Sequence, residues 1–196
     1  MDNGHQKEIS LTSPYTKNQS NRISNLAKSA MLISLTVGSG FALLMVPNIE
    51  LMTTIIFISG VILGPWLGLQ VGMASEFIFS IMNPLGSGLV FPFLLIAQVI
   101  SMGLVGLTGG ILRNRFLKCN WSISKIVFLG FTGFLLTFIF DSLTTISYPM
   151  SVGFEWKEVL AVYIAGMGFT LVHQIGNTCL FALALPKVLT RISDEV

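Results

Sequence analysis

Charge is what this chain has least of. Only 10% of its 196 residues are Asp, Glu, Lys or Arg, where a soluble domain carries about 25%. The net charge of +2 is too small a surplus to grip a phosphate backbone, so no nucleic-acid partner is expected. The two cysteines, Cys119 and Cys179, share neither metal-ligand spacing nor an evident environment, which excludes a disulfide framework. No G-x-x-x-x-G-K-[ST] loop is present, so the chain does not itself hydrolyse ATP by that route. H-E-x-x-H is missing, and His173, with no His or Cys near it, makes a poor metal site. G-x-S-x-G is missing too. No metal, cofactor or catalytic residue is therefore expected, and the chain does not read as an enzyme. Matched inverted repeats, the mark of many secondary carriers, are not found either.

What is present is apolar. Hydrophobic residues make up 53% of the chain and mean hydropathy is +0.79. Soluble burial cannot absorb that much apolar surface, so the surrounding medium is a lipid bilayer. Residues 1–22, including "MDNGHQKEISLTSPYTKNQS", lack an apolar core and read as a disordered cytoplasmic tail. The following apolar run ends in "LLMVPNIEL" with no small-residue cleavage site, so it reads as a permanent helix. Apolar blocks lie at about 25–46, 50–63, 66–82, 89–112, 124–147 and 159–186, inside a transmembrane domain of about 23–190, with 191–196 as a C-terminal cytoplasmic tail.

Block two is short for a span and could be fused with block three. Charge decides between these readings. Six spans put Lys7, Lys17, Arg22, Lys28, Arg113, Arg115, Lys118, Lys125, Lys187 and Arg191 on the inner side and leave only Lys157 outside, as the positive-inside rule requires. A fused helix would reverse Arg113 to Lys125 and run about 48 Å, beyond a bilayer. "GPW" at 64–66 supplies the turn between them, since Pro65 restricts Gly64. The expectation is an all-α, multi-pass protein of the cell membrane: a bundle of six helices with both termini cytoplasmic. With block two so short, "VPNIE" dips toward membrane depth, either as a pocket wall or lid or as an ordinary interfacial turn.

Ala30, Ser34, Gly38 and Ala42 recur every four residues and share one face of the first helix. In lipid, helices associate through close contact of such small residues. The stripe serves bundle packing or a partner membrane protein. Gly60, Gly64, Gly68, Gly72, Gly106 and Gly110 read as internal packing, as do Met31, Met73 and Phe79.

Ionisable residues within a span cost about 2.5–3.5 kcal/mol at its centre and mark sites or pathways. Here they are Glu76, Asp141 and His173, accompanied by Gln98, Gln174 and Asn177. Each falls on a face that is already small or polar: Gly72, Glu76 and Ser80; Thr137, Asp141 and Tyr148; Gly166, Thr170, His173 and Asn177. Counting from the helix ends puts them in the outer half of the bundle, open to the side carrying Asn48, Glu50, Asn83 and Trp156. The pattern describes an outward-facing cup, or else a set of helix fasteners. With no Lys or Arg at depth, a cup of this kind favours a neutral or cationic ligand over an anion.

The segment "VPNIELMTTIIFISGVILGPWLGLQVGMASEFIFSIMNPLGSGLVFPFLLIAQVISMGLVGLTGGIL", above all its "PNIE", "GPWLGLQVG" and "NPLG", resembles the substrate-binding S component of energy-coupling factor (ECF) transporters. The resemblance covers residues 25–186. It implies capture of a vitamin or related micronutrient from outside, and docking on a separate transmembrane coupling subunit with two ABC-type ATPases. It also implies that Asn48, Glu50, Asn83, Gln98, Asp141, His173 and Asn177 line the cavity. The docking face would be the small-residue stripe of helix one, where this chain has Ala30 and Ser34 in place of the family's two alanines. Helix three of that family serves mainly scaffold and docking, so the likeness does not assign Glu76. Two other readings stand beside it: a small self-sufficient or proton-coupled carrier in which Glu76 and Asp141 titrate, and a membrane enzyme or assembly subunit.

Overall fold

The computed structural model describes residues 14–85, 88–117 and 119–195, and among these every regular element is helical. The order is α1 (Pro14–Ala42), α2 (Met52–Leu63), α3 (Pro65–Met82), a 3-10 turn (Gly88–Val90), α4 (Pro92–Phe116), α5 (Ile123–Ser151) and α6 (Trp156–Cys179). A π turn (Leu180–Ala184) then joins α6 to α7 (Leu185–Glu195).

Both ends of the chain carry more helix than hydropathy indicates. Helix α1 begins at Pro14, so residues 14–22 are helical, and residues 1–13 of the expected tail lie outside the described residues. Helix α7 runs through the expected C-terminal tail to Glu195 because it is amphipathic. Phe181, Leu185 and Leu189 are fully buried at four-residue spacing, while Lys187, Arg191 and Asp194 face outward. Pro186 gives no N–H to the helical ladder and crowds the preceding turn, and the π turn just upstream accommodates it.

Among the described residues three helices are long and apolar enough to cross a membrane: α4, α5 and the continuous Trp156–Asp194 rod, with α2 a shorter apolar helix. Their outward faces are apolar as well. Phe131, Phe134 and Phe138 form an exposed ladder along α5, with ring centroids 6.4 and 6.3 Å apart. Ile164, Phe169, Leu171, Val172 and Ile175 stand exposed on α6. Water would not tolerate such a surface; lipid covers it at no cost. The chain is a helical membrane protein by this criterion.

The core forms where α2, α3 and α4 touch backbone to backbone. A Cβ added to Gly60 or Gly68 would strike the Gly106 carbonyl, and one added to Gly106 would strike that of Gly68. Gly109 lies on the Phe57 carbonyl, Gly110 on Pro65 and Gly72 on the Met102 carbonyl. Between α2 and α3 the chain turns at Gly64, whose φ of 90° is closed to ordinary L-residues. Phe57 and Phe181 then pack edge to face at 5.1 Å, carrying the core across to the π turn.

Helix α1 packs on this core through Thr36, Gly40 and Phe41, the last against Phe79 at 5.2 Å. Its other face carries Ala30, Ser34, Gly38 and Ala42, all exposed. The small-residue stripe therefore takes no part in internal packing.

At one end of the bundle α4, α5 and α7 are tied together. Phe116 stacks on Trp121 at 5.9 Å, Trp121 Nε1 donates to Thr190 Oγ1 (2.9 Å), and the Arg115 guanidinium lies over the Phe128 ring.

Two alanine substitutions separate the roles of the glycines. Gly106→Ala should destabilise the protein by about 1–3 kcal/mol or more, since backbone rather than a flexible side chain must yield. Gly38→Ala, with nothing within 4 Å of the added carbon, should be neutral or slightly stabilising. Thermal unfolding in mild detergent measures both.

Candidate functional site

The loop between α1 and α2 folds back onto α6. Asn48, at a left-handed φ of 58° that Asn accommodates better than most residues, donates its side-chain amide to the Phe169 carbonyl at 2.6 Å. Two residues on, Glu50 sits beside the N-terminus of α2, where a carboxylate is favoured. Its Oε2 accepts the Thr53 N–H at 2.8 Å. Its Oε1 accepts from Asn177 Nδ2 at 2.9 Å and lies 3.5 Å from His173 Nε2.

From Glu50 the contacts run on through α6 into α5. His173 Nδ1 is 2.8 Å from Asp141 Oδ1, a distance at which a ring N–H donates to the carboxylate. Asn177 Nδ2 lies 3.1 Å from both Thr137 Oγ1 and His173 Nε2. Helical spacing explains the assembly: His173 and Asn177 share one face of α6, and Thr137 and Asp141 share one face of α5. The two His173 nitrogens face different carboxylates, so Glu50 and Asp141 do not converge on one point. Among the described residues no group of three or more His, Cys, Asp or Glu is arranged to hold a metal ion.

Among the described residues two acceptors in this network have no donor. Asp141 Oδ2 and Asn177 Oδ1 are buried and unpaired, although Asn177 is only 1% exposed. An unsatisfied buried acceptor costs about 1–3 kcal/mol. Among the described residues no lysine or arginine takes part in the contacts of the cluster, so its two carboxylates outnumber its single imidazole. Burial alone would push the Glu50 carboxyl up. The His173 hydrogen bond and charge, with the Thr53 and Asn177 donors, outweigh it and hold the group below its ordinary 4.5.

Cavities lie on both sides. A space of about 120 Å³ between α5 and α6 is lined by Asp141, Tyr163, Thr170 and the buried Gln174 among others. A larger one of about 360 Å³ lies between the first loop and the π turn, and Glu50 and Asn177 form part of its wall.

The remaining candidates fall elsewhere. Glu76 is buried at 3% exposure on α3 and lines neither of these cavities. Ser80 Oγ lies 2.9 Å from Glu76 Oε1 and 3.0 Å from Gln98 Oε1, joining α3 to α4. A hydroxyl has one proton and serves one of these oxygens at a time. Asn83 is taken up by its own turn, its Oδ1 accepting the Leu85 N–H at 2.9 Å.

Thr53 and the Phe169 carbonyl were not singled out from sequence. Thr53 stands three residues after Glu50, a capping spacing that could have revealed it. A backbone carbonyl leaves no such trace.

Comparison with protein-family models, with curated proteins and with solved structures finds no match in any of the three. Function rests on the site alone.

Removing His173 leaves Glu50 and Asp141 each without the imidazole nitrogen that faces it. His173→Ala should cost about 3–5 kcal/mol, and combining it with Asp141→Asn should cost clearly less than the sum, which a double-mutant cycle of thermal unfolding reads out. Glu50 has a folded value below its unfolded one. Its contribution to stability is therefore present above its ordinary 4.5 and lost as the pH falls below it. Acid unfolding of Glu50→Gln should lack that step.

Proposed function

We propose that this chain is the substrate-capture subunit of an ATP-driven importer of the ECF type, crossing the cell membrane six times with both termini inside. It binds a vitamin or related micronutrient from outside in a cavity beside the Glu50–His173–Asp141 network. It docks through α1 on a separate transmembrane coupling subunit that carries two ABC-type ATPases.

The observation that carries this reading is the first loop folded onto α6. Its Glu50 enters a charged network that leaves two buried acceptors unpaired. A network kept only as a helix fastener has no need of open acceptors, whereas a binding site does. A loop held by a few polar contacts can also open and close over a ligand, as capture and release require. The outward stripe of Ala30, Ser34, Gly38 and Ala42 supports docking, because it offers a smooth surface for a second membrane helix.

In this reading Glu50, Asp141, His173, Gln174 and Asn177 belong to the binding wall. Asn48 holds the lid. Glu76 and Gln98 fasten α3 to α4, and Asn83 shapes the outer turn.

Native mass spectrometry of the protein purified in mild detergent should reveal a small molecule at near one-to-one stoichiometry. Uptake of that molecule should stop when ATP is depleted. Gly38→Leu should block uptake while leaving binding intact, and Glu76→Gln should lower thermal stability before it lowers affinity. Uptake that persists without ATP in energised vesicles would overturn the proposal in favour of a self-sufficient carrier.

A further inference from the structure

Helices α1 and α3 lie side by side without closing on each other along their whole length. At one end Gly40 meets Phe79. Toward the other end, lower in number on both helices, they part to leave a groove of about 580 Å³. Leu26, Ile33, Leu67, Val71 and Ala74 give it apolar walls, and Arg22, Asn25 and Gln70 bring polar groups. These three polar residues are exposed, so an occupant of the groove can reach them.

Among the described residues nothing neutralises Arg22. Its guanidinium forms no ion pair or hydrogen bond there, and the side-chain amides of Asn25 and Gln70 are free as well. Helix α1 has no Asp or Glu from Pro14 to Ala42, and α3 has none before Glu76. The neighbouring α2–α3 turn adds a further cation, since the Arg113 guanidinium lies 3.5 Å from where a Cβ on Gly64 would stand. Glu50, Glu155 and Glu158 belong to the opposite end of the bundle. An anion is the complement of this end, and basic pockets between membrane helices bind lipid headgroups.

The dimensions fit a lipid. From Arg22 to Ile33 the groove follows α1 for roughly 16 Å at 1.5 Å per residue, about half of a hydrocarbon core some 30 Å thick. Trp66, next to Leu67 in sequence and 72% exposed, sits at the polar end, as aromatic side chains do at the level of the headgroups. The lining suits a flexible chain better than a second helix. Arg22, Leu26, Ser29 and Ile33 share one face of α1, and the stripe of Ala30, Ser34 and Gly38 stands about 100° further round. Close helix approach needs small residues of that kind, and this groove is walled by branched and charged ones.

We propose that the groove holds one anionic phospholipid. Its phosphate sits on Arg22, its headgroup and ester oxygens accept from Asn25 and Gln70, and one acyl chain lies along Leu26, Ile33, Val71 and Ala74. A zwitterionic lipid offers the same chain and phosphate, but its ammonium would face a basic surface with no carboxylate to receive it. The site does not depend on what the chain transports.

The test uses the full chain in nanodiscs of phosphatidylcholine carrying a trace of a lipid with a diazirine in its acyl chain. The probe is phosphatidylglycerol in one sample and phosphatidylcholine with the same chains in the other. After illumination, peptide mass spectrometry should find residues 22–33 and 67–74 labelled at least about fivefold more by the glycerol lipid, the effect expected of one basic residue at an anionic headgroup. Excess unlabelled phosphatidylglycerol should suppress that labelling and leave labelling along Phe131, Phe134 and Phe138 of α5 unchanged. The preference should fall to parity in Arg22→Gln and survive in Arg22→Lys. Equal labelling by the two lipids, labelling spread evenly over every lipid-facing helix, or a preference unchanged in Arg22→Gln would each overturn the assignment. A benzoylphenylalanine in place of Ala74 that cross-links to a protein in native membranes would overturn it in favour of a partner helix.

Discussion

Everything else in this molecule hangs on the contact of bare backbone among α2, α3 and α4. Lipid tails are as apolar as leucine, so no hydrophobic drive pushes these helices together. Close approach does, and Gly60, Gly68, Gly106, Gly109 and Gly110 let carbonyl oxygens sit where side chains would otherwise stand. With those three helices fixed, the start of α2 is fixed as well, and with it the position of Glu50. The polar site is thus located by residues that have no side chains.

The two halves of the bundle are joined by different chemistry. On the α1–α4 side, contacts are dense and largely backbone-mediated. Helix α6 meets its surroundings mainly along α5, and its buried side chains are few: Val159, His173, Gln174 and Asn177. Three of these four are polar, and the hydrogen bonds of His173 and Asn177 fix how α6 sits against α5 and the first loop. Asn48 and Glu50 reach it from the other half through one backbone carbonyl and one shared carboxylate. A joint made of directional polar bonds can be broken and remade by water or by a ligand. A joint made of glycine contacts cannot.

The sequence made some of this legible and hid the rest for identifiable reasons. Hydropathy located the long apolar helices, and Gly64 before Pro65 located the turn between α2 and α3, because both signals are local. The polar residues at depth stood out for the same reason. Which of them would meet was another matter. The pairing of Glu50 with Asn177 spans 127 positions, and no periodicity encodes it. The small-residue rows on α1 and on α2–α4 look alike as strings. Only the assembled structure separates a row that packs inward from one that faces out. The helical ends were underestimated because α7 is amphipathic rather than uniformly apolar, so a hydropathy window stops before it does.

The Glu50–His173–Asp141 network is an expensive way to hold helices together. Replacing buried ion pairs by well-packed apolar side chains is often neutral or stabilising, and this one leaves two acceptors unsatisfied besides. Stability does not explain it. On the capture reading, a donor that reached Asn177 Oδ1 once the first loop moved would remove an unfavourable term, and its apparent affinity would include the relief of that term as well as the new contact. Because Asn177 also donates to Glu50, satisfying its carbonyl oxygen strengthens the same side chain's grip on the loop, as neighbouring hydrogen bonds polarise one another. On that reading, occupancy and closure of the first loop would be linked through a single amide. A capture protein needs that coupling, and helices fastened by apolar contacts would not supply it.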